Sequence, residues 1–176
     1  MKLIKWLLTV ILVVAAVLVL GGYLLSPKFK VSRSVVIAAP PDKVYALVAE
    51  PRRWKEWTVW NRRDPAMAIQ YSGPPSGVDA AWAWQSRTEG EGRMRFTAAE
   101  PGQRVAYELF FPDFGTTSTG ELTLAAEGSG TRVTWNIDGD MGANPLMRWF
   151  ALGADKFIGQ DFAAGLAGLR TLAEKP

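Results

Sequence analysis

Residues 91–137 read EGRMRFTAAEPGQRVAYELFFPDFGTTSTGELTLAAEGSGTRVTWNI. Apolar residues recur at alternate positions: Met94, Phe96 and Ala98; Val105, Tyr107, Leu109 and Phe111; Gly120, Leu122 and Leu124; Val133, Trp135 and Ile137. Polar residues stand between them, Arg93, Arg95 and Thr97 in the first run and Arg132, Thr134 and Asn136 in the last. A strand turns successive side chains to opposite faces, so this alternation predicts strands with one buried and one wet face. Glu100-Pro101-Gly102, Pro112-Asp113 and Gly128-Ser129-Gly130 separate the runs as hairpin turns.

Upstream the pattern continues. Met67, Ile69 and Tyr71 alternate up to the turn Gly73 to Gly77, and Ala80, Trp82 and Trp84 alternate up to Glu89-Gly90. Six strands in sequence with short turns predict an antiparallel meander. Val31 to Ala38 reads as an earlier strand, rich in Val and Ile. Pro40-Pro41 then opens a short helix through Val44, Tyr45, Leu47 and Val48, since proline suits a first helical turn. Pro51 ends it, and Arg52 to Trp57 reads as a second short helical piece. Downstream, Asn144-Pro145 pairs an N-cap residue with proline at the first helical position and predicts a helix to about Ala173. Projected as a helix, Leu146, Trp149, Phe150, Gly153, Phe157, Ala164 and Gly168 share one apolar face, with Arg148, Asp155, Gly159 and Arg170 elsewhere. The expected fold is α+β: a curved antiparallel sheet of about seven strands wrapped on the long C-terminal helix.

The first residues are of another kind. Trp6 to Leu25 is a run of 20 residues without a charge. At about 1.5 Å per residue it spans roughly 30 Å, the hydrocarbon thickness of a bilayer. Lys2 and Lys5 bound one end, and Lys28, Lys30 and Arg33 the other; Trp6 and Tyr23 stand where aromatic residues anchor at the interface. A cleaved signal peptide would have a shorter apolar core and a small-x-small site, and Tyr23-Leu24-Leu25 offers none. The expectation is a transmembrane helix over 1–27 and a separate domain over 28–176. The flanking charges nearly balance; a short basic tail kept inside would put the domain outside the cytoplasm, in a bacterium on the outer side of the inner membrane. Ser26-Pro27 ends the helix with little chain to spare, so the domain must lie close to the bilayer.

Composition narrows the chemistry. The chain has no Cys and no His, so Ser-His-Asp, Cys-His and His-based metal sites are excluded within it. The net charge is +3 with no basic block, and no nucleic-acid partner is expected. The Gly-rich segments 73–77 and 128–130 lack the order of a phosphate loop. Neither a cofactor nor a metal is expected. Eight Trp and eight Phe are a heavy aromatic load that must occupy a core, a cavity or an interface.

Several strings resemble the START-like (SRPBCC) superfamily, within its polyketide cyclase/dehydrase and lipid transport group. They are Val36-Ile37-Ala38-Ala39-Pro40-Pro41-Asp42-Lys43-Val44-Tyr45, Trp54-Lys55-Glu56-Trp57, Tyr71 to Gly77, Thr131-Arg132-Val133-Thr134-Trp135, Gly139-Asp140, and the terminal helix with Asn144-Pro145 and Asp161-Phe162. The resemblance covers nearly all of residues 31–173 and implies a helix-grip fold, with a hydrophobic tunnel between sheet and helix for a lipid or similar small molecule. On that implication the candidate lining is Trp57, Trp60, Tyr71, Trp82, Trp84, Phe96, Tyr107, Trp135, Trp149, Phe150, Phe157 and Asp161. For any one of these aromatics plain core packing is the commoner alternative; taken together, and on the resemblance, they suit a pocket. Trp54, Trp57 and Trp60, at spacing three, suit a cavity mouth, a membrane contact or a plug beneath a loop. Asp161 suits either a ligand hydroxyl or an ion pair. The expected function is a membrane-anchored, non-catalytic binding module whose partners are the bilayer and a hydrophobic small molecule or lipid. The alternatives are a cyclase- or dehydratase-type enzyme using Asp161, Tyr71, Tyr107 or a glutamate, and a protein-interaction or regulatory domain.

Overall fold

The computed structural model describes residues 2–175. The alternating stretch forms four strands, β4 (Glu91–Glu100), β5 (Arg104–Phe111), β6 (Thr116–Glu127) and β7 (Gly130–Asp140). Ahead of them come β1 (Lys28–Ile37), β2 (Ala68–Ser72) and β3 (Ala81–Gln85). All pair antiparallel in one sheet ordered β1-β7-β6-β5-β4-β3-β2. The meander is as expected, and β1 returns to the far edge beside β7, with Lys28 opposite Asp140 and Ile37 opposite Thr131. Alternation holds along β4: Met94 and Phe96 are buried, while Arg93, Arg95 and Thr97 face water. The register of β4 against β5 shifts between Phe96 and Ala98. Such a bulge bends the strand and adds twist. Gly102 (φ 70°) and Gly128 (φ 60°) take left-handed conformations at two hairpin turns, where a side chain would be strained. β1 begins at Lys28 rather than Val31, because Lys28 and Lys30 stay in water while Phe29 and Val31 turn inward.

The helices are α1 (Lys2–Leu24), α2 (Pro41–Val48), α3 (Trp54–Trp57), the single turn α4 (Trp60–Arg63) and α5 (Pro145–Ala173), with a 3₁₀ turn over Pro51–Arg53. α1 has a mean hydropathy of 2.8 and is long and apolar enough to cross a membrane. α4 was not expected from the sequence. α5 starts as read: the Asn144 side chain accepts a hydrogen bond from the Leu146 amide at 3.0 Å, and Pro145 follows the cap.

The face of α5 differs from the expected one. The buried residues of α5 are Ala151, Ala154, Gly159, Phe162, Gly165, Leu166, Leu169 and Ala173, Gly159 among them although the projection had set it apart, while Leu146, Trp149, Phe157 and Ala164 are exposed. The packed stripe is rotated by about a third of a turn from the bulky one. Small residues decide this. A Cβ at Gly165 would lie 2.9 Å from the Trp135 ring, and one at Gly168 would collide with the Trp57 carbonyl. The helix therefore approaches closely where its side chains are small, Phe162 stays in the packed stripe, and Trp149 and Phe157 fall to the flanks.

Candidate functional site

Trp54 organises the closed end of the interior. Its ring centre lies 4.8 Å from Trp57, 5.2 Å from Trp82, 5.6 Å from Trp135, 5.8 Å from Phe96 and 5.9 Å from Tyr107. Trp135 stacks on Phe162 of α5, with ring centres 3.9 Å apart and planes 6° apart. Against these rings a cavity of about 550 Å³ opens between the concave face of the sheet and the flank of α5, with Phe29 of β1 and Ile137 of β7 also in its wall. That volume is in the range that holds small-molecule ligands.

The sheet contributes Ile69 and Tyr71 from β2, Trp82 and Trp84 from β3, Met94 from β4, and Tyr107, Leu109 and Phe111 from β5. α5 contributes Phe150, Phe157, Ile158, Asp161 and Phe162, and α4 contributes Trp60, Asn61 and Arg63. Trp84 has room because β4 carries Gly92 opposite it; a Cβ there would meet the indole.

Of the twelve candidates, Trp60, Tyr71, Trp82, Trp84, Tyr107, Phe150, Phe157 and Asp161 stand in the cavity wall. Trp57, Phe96, Trp135 and Trp149 do not. Trp57, fully buried beneath α5, donates its indole N–H to the Leu47 carbonyl at 3.3 Å. Phe96 is sealed between Trp54 and Trp82. Trp135 is consumed by its stack on Phe162 and by donating to the Tyr107 hydroxyl at 2.9 Å. Trp149 points away from the cavity and donates to the Leu18 carbonyl of α1 at 2.9 Å. All four have the right residue type and periodicity. For Trp57, Phe96 and Trp135 a sequence pattern does not separate the filled end of the interior from the open one; Trp149 lies outside the interior altogether, on the exposed flank of α5. The Trp54, Trp57 and Trp60 series divides accordingly: Trp57 is a plug, Trp60 lines the cavity, and Trp54 does both.

One corner of the wall is polar, and most of it escaped the sequence reading. Arg63 donates to both carboxylate oxygens of Asp161 at 2.7 Å and to both of Glu89 at 2.9 and 2.7 Å. Trp60 donates its indole N–H to Asp161 at 3.2 Å. The bonds to Asp161 and then Glu89 raise the Arg63 pKa above its ordinary value, so the guanidinium stays charged. Asp161 thus forms an ion pair that ties α5 to α4, and Arg63 carries the link on to Glu89 in the β3–β4 turn. Two carboxylates share one guanidinium there, and Lys55 stands in the same lining, so the acidic and basic side chains of the cavity are equal in number. The carboxylate oxygens offer acceptors to hydrogen-bond donors on a ligand. Thr58, also in the wall, has a buried hydroxyl without a partner. Arg63 and Glu89 gave no sequence signal, because a short polar connection and a turn carry such residues routinely and only the fold brings them together.

The tyrosines are poor proton acceptors. Burial raises the pKa of the fully buried Tyr107 phenol, against a smaller lowering effect of the bond from Trp135. Burial likewise raises Tyr71, with Arg52 lying 4.3 Å over its ring and opposing the shift. Both remain neutral phenols at physiological pH.

Residues 28–174 match the family model for polyketide cyclase/dehydrase and lipid transport proteins. The chain belongs to that family, within the START-like superfamily. No curated protein matches the sequence. Among solved structures, a protein from Chromobacterium violaceum is similar, with 18% identity and a TM-score of 0.61 over 84% of this chain and 99% of that one. The di-domain ARO/CYC protein BexL of the BE-7585A biosynthetic pathway has 21% identity and a TM-score of 0.60, over 85% of this chain and 51% of BexL. The Aha1 dimer from Colwellia psychrerythraea has 18% identity and a TM-score of 0.56, over 82% and 96%. At these identities the likeness is one of fold, and fold alone does not carry activity.

Proposed function

We propose that the protein is a membrane-anchored, non-catalytic binding module that holds a hydrophobic small molecule or lipid between its sheet and α5. The observation that carries this reading is the cavity of about 550 Å³, walled mainly by aromatic and aliphatic side chains, with the Arg63, Glu89 and Asp161 cluster at one corner and Thr116 and Ser118 of β6 among its other polar members. An apolar body with a few donor groups at one end is the shape such a site accepts. α1 serves as the anchor, 28–176 forms the binding domain, and the domain lies on the outer side of a bacterial inner membrane.

A cyclase-type role, suggested by the family description and the ARO/CYC names, needs a group in the cavity that exchanges a proton near neutral pH. Asp161 is held on both oxygens by Arg63, and both tyrosines stay protonated. These features favour binding over catalysis. To test this, the full chain is extracted from membranes in mild detergent and weighed by native mass spectrometry. The expected result is an adduct of a hydrophobic molecule. Leu109→Trp, which fills the cavity from β5, is expected to lose the adduct while keeping the unfolding midpoint. A chain that carries no adduct and takes up no fluorescent apolar probe argues against the reading.

A further inference from the structure

The first ten residues of α5, Pro145 to Ala154, carry one charge, Arg148, yet much of their surface is open. Leu146 is 48% exposed, Trp149 38% and Leu152 65%; along the helix Phe157 is 59% exposed, and Phe114, in the β5–β6 turn, is 41% exposed. Phe114 stacks on Phe150 with ring centres 5.9 Å apart. Phe114, Phe150 and Phe157 all belong to the cavity wall, so the apolar patch and the rim of the cavity are continuous.

The level of this patch is set by its contact with α1. Gly22 admits the Pro145 backbone, which a Cβ there would strike, and Gly21 faces the Trp149 indole. Trp149 reaches the Leu18 carbonyl, six residues inside the end of α1 at Leu24. At 1.5 Å per residue that is roughly 9 Å along the helix axis. Helices that lie in a bilayer interface bury their apolar face by about 5–10 Å. The single charge is directed away from that level: Arg148 donates to the carbonyls of Tyr23 and Leu25 at 3.2 and 3.3 Å, where the chain leaves α1, and exposed Lys28 follows. Cations at this position meet lipid phosphates.

We propose that the first turns of α5, with the β5–β6 turn, form a second membrane contact that seats the cavity mouth against the lipid, so that the ligand passes between bilayer and cavity without crossing water. This rests on α1 spanning the membrane, as in the function proposed above. The chain has no cysteine, which allows single labels. Phe114→Cys, Leu152→Cys, Val13→Cys in α1 and Ser129→Cys in the β6–β7 turn, at the opposite end of the sheet, are each coupled to an environment-sensitive fluorophore. The full chain is placed in phosphatidylcholine vesicles containing phosphatidylglycerol. Labels at 114 and 152 should be quenched several-fold more by lipids with shallow nitroxides than the label at 129, and several-fold less by aqueous iodide. Quenching at 114 and 152 equal to that at 129, with 13 in the hydrocarbon, overturns the docking contact and leaves the anchor standing. A water-exposed label at 13 overturns both. Labels at 114 and 152 shielded from lipid and iodide alike mean that protein covers the face, which also overturns the proposal.

Discussion

Tyr107 shows how a polar group is made acceptable deep inside an aromatic core. Its ring packs against Trp54, and its hydroxyl receives the Trp135 indole N–H at 2.9 Å. Replacing it as Tyr107→Phe leaves that N–H buried without a partner. The expected cost is about 1–3 kcal/mol, read from denaturant unfolding of the full chain in detergent. A pH dependence accompanies it. The folded state raises the phenol above its ordinary value of 10.0, so its stabilisation is complete below that pH and is lost as pH rises beyond it, when the unfolded chain ionises first. The alkaline fall in stability should be shallower in Tyr107→Phe. The inward direction of Tyr107 was legible from its alternation with Val105 and Leu109. Its partnership with Trp135 was not, since that pair is made across β6 by the sheet order.

Among the elements, α5 and β1 show what holds the long helix to the edge of the sheet. Arg33 of β1 donates to the Asp155 carboxylate at 2.8 and 3.1 Å and to its backbone carbonyl at 3.0 Å. Gly159 leaves space for the guanidinium, which a Cβ there would strike. The bond from Arg33 holds the Asp155 carboxyl below its ordinary value of 3.8. The sign follows: the contribution is present above that value and is lost as pH falls through the lower, folded-state pKa. Asp155→Asn should therefore lower the melting temperature modestly at neutral pH, and the difference from the unaltered chain should close as pH is taken below about 4. High salt should shrink it too, because Asp155 is largely exposed. The ends of α5 could be read from Asn144-Pro145 and the loss of pattern near Ala173. Its facing could not: both the small and the bulky stripe are apolar, and close approach to Trp57 and Trp135 selects the small one.

At the scale of the whole molecule, the short connection Leu25–Pro27 joins α1 directly to β1, and α5 packs back on the end of α1. α1 and the cavity-bearing domain are thus held together by packing as well as by chain. On the proposed orientation, a reporter active only outside the cytoplasm and fused after α5 should be active in whole cells. A reporter active only in the cytoplasm should be silent. The fusion should stay with the membrane pellet after alkaline carbonate washing, whereas a cleaved α1 would release it.

The sequence by itself determined the strands, their antiparallel succession, the caps of the last helix and the apolar character of α1. Each of these is written in local periodicity, turn residues or the length of an uncharged run. Only the tertiary structure decided which aromatics fill the interior and which surround a cavity, that Arg63 and Glu89 converge on Asp161, and that Trp149 belongs to the contact with α1. Those outcomes depend on how closely α5 approaches each part of a bent sheet. That distance is set by small residues meeting large ones from segments far apart in the chain, and no local pattern contains it.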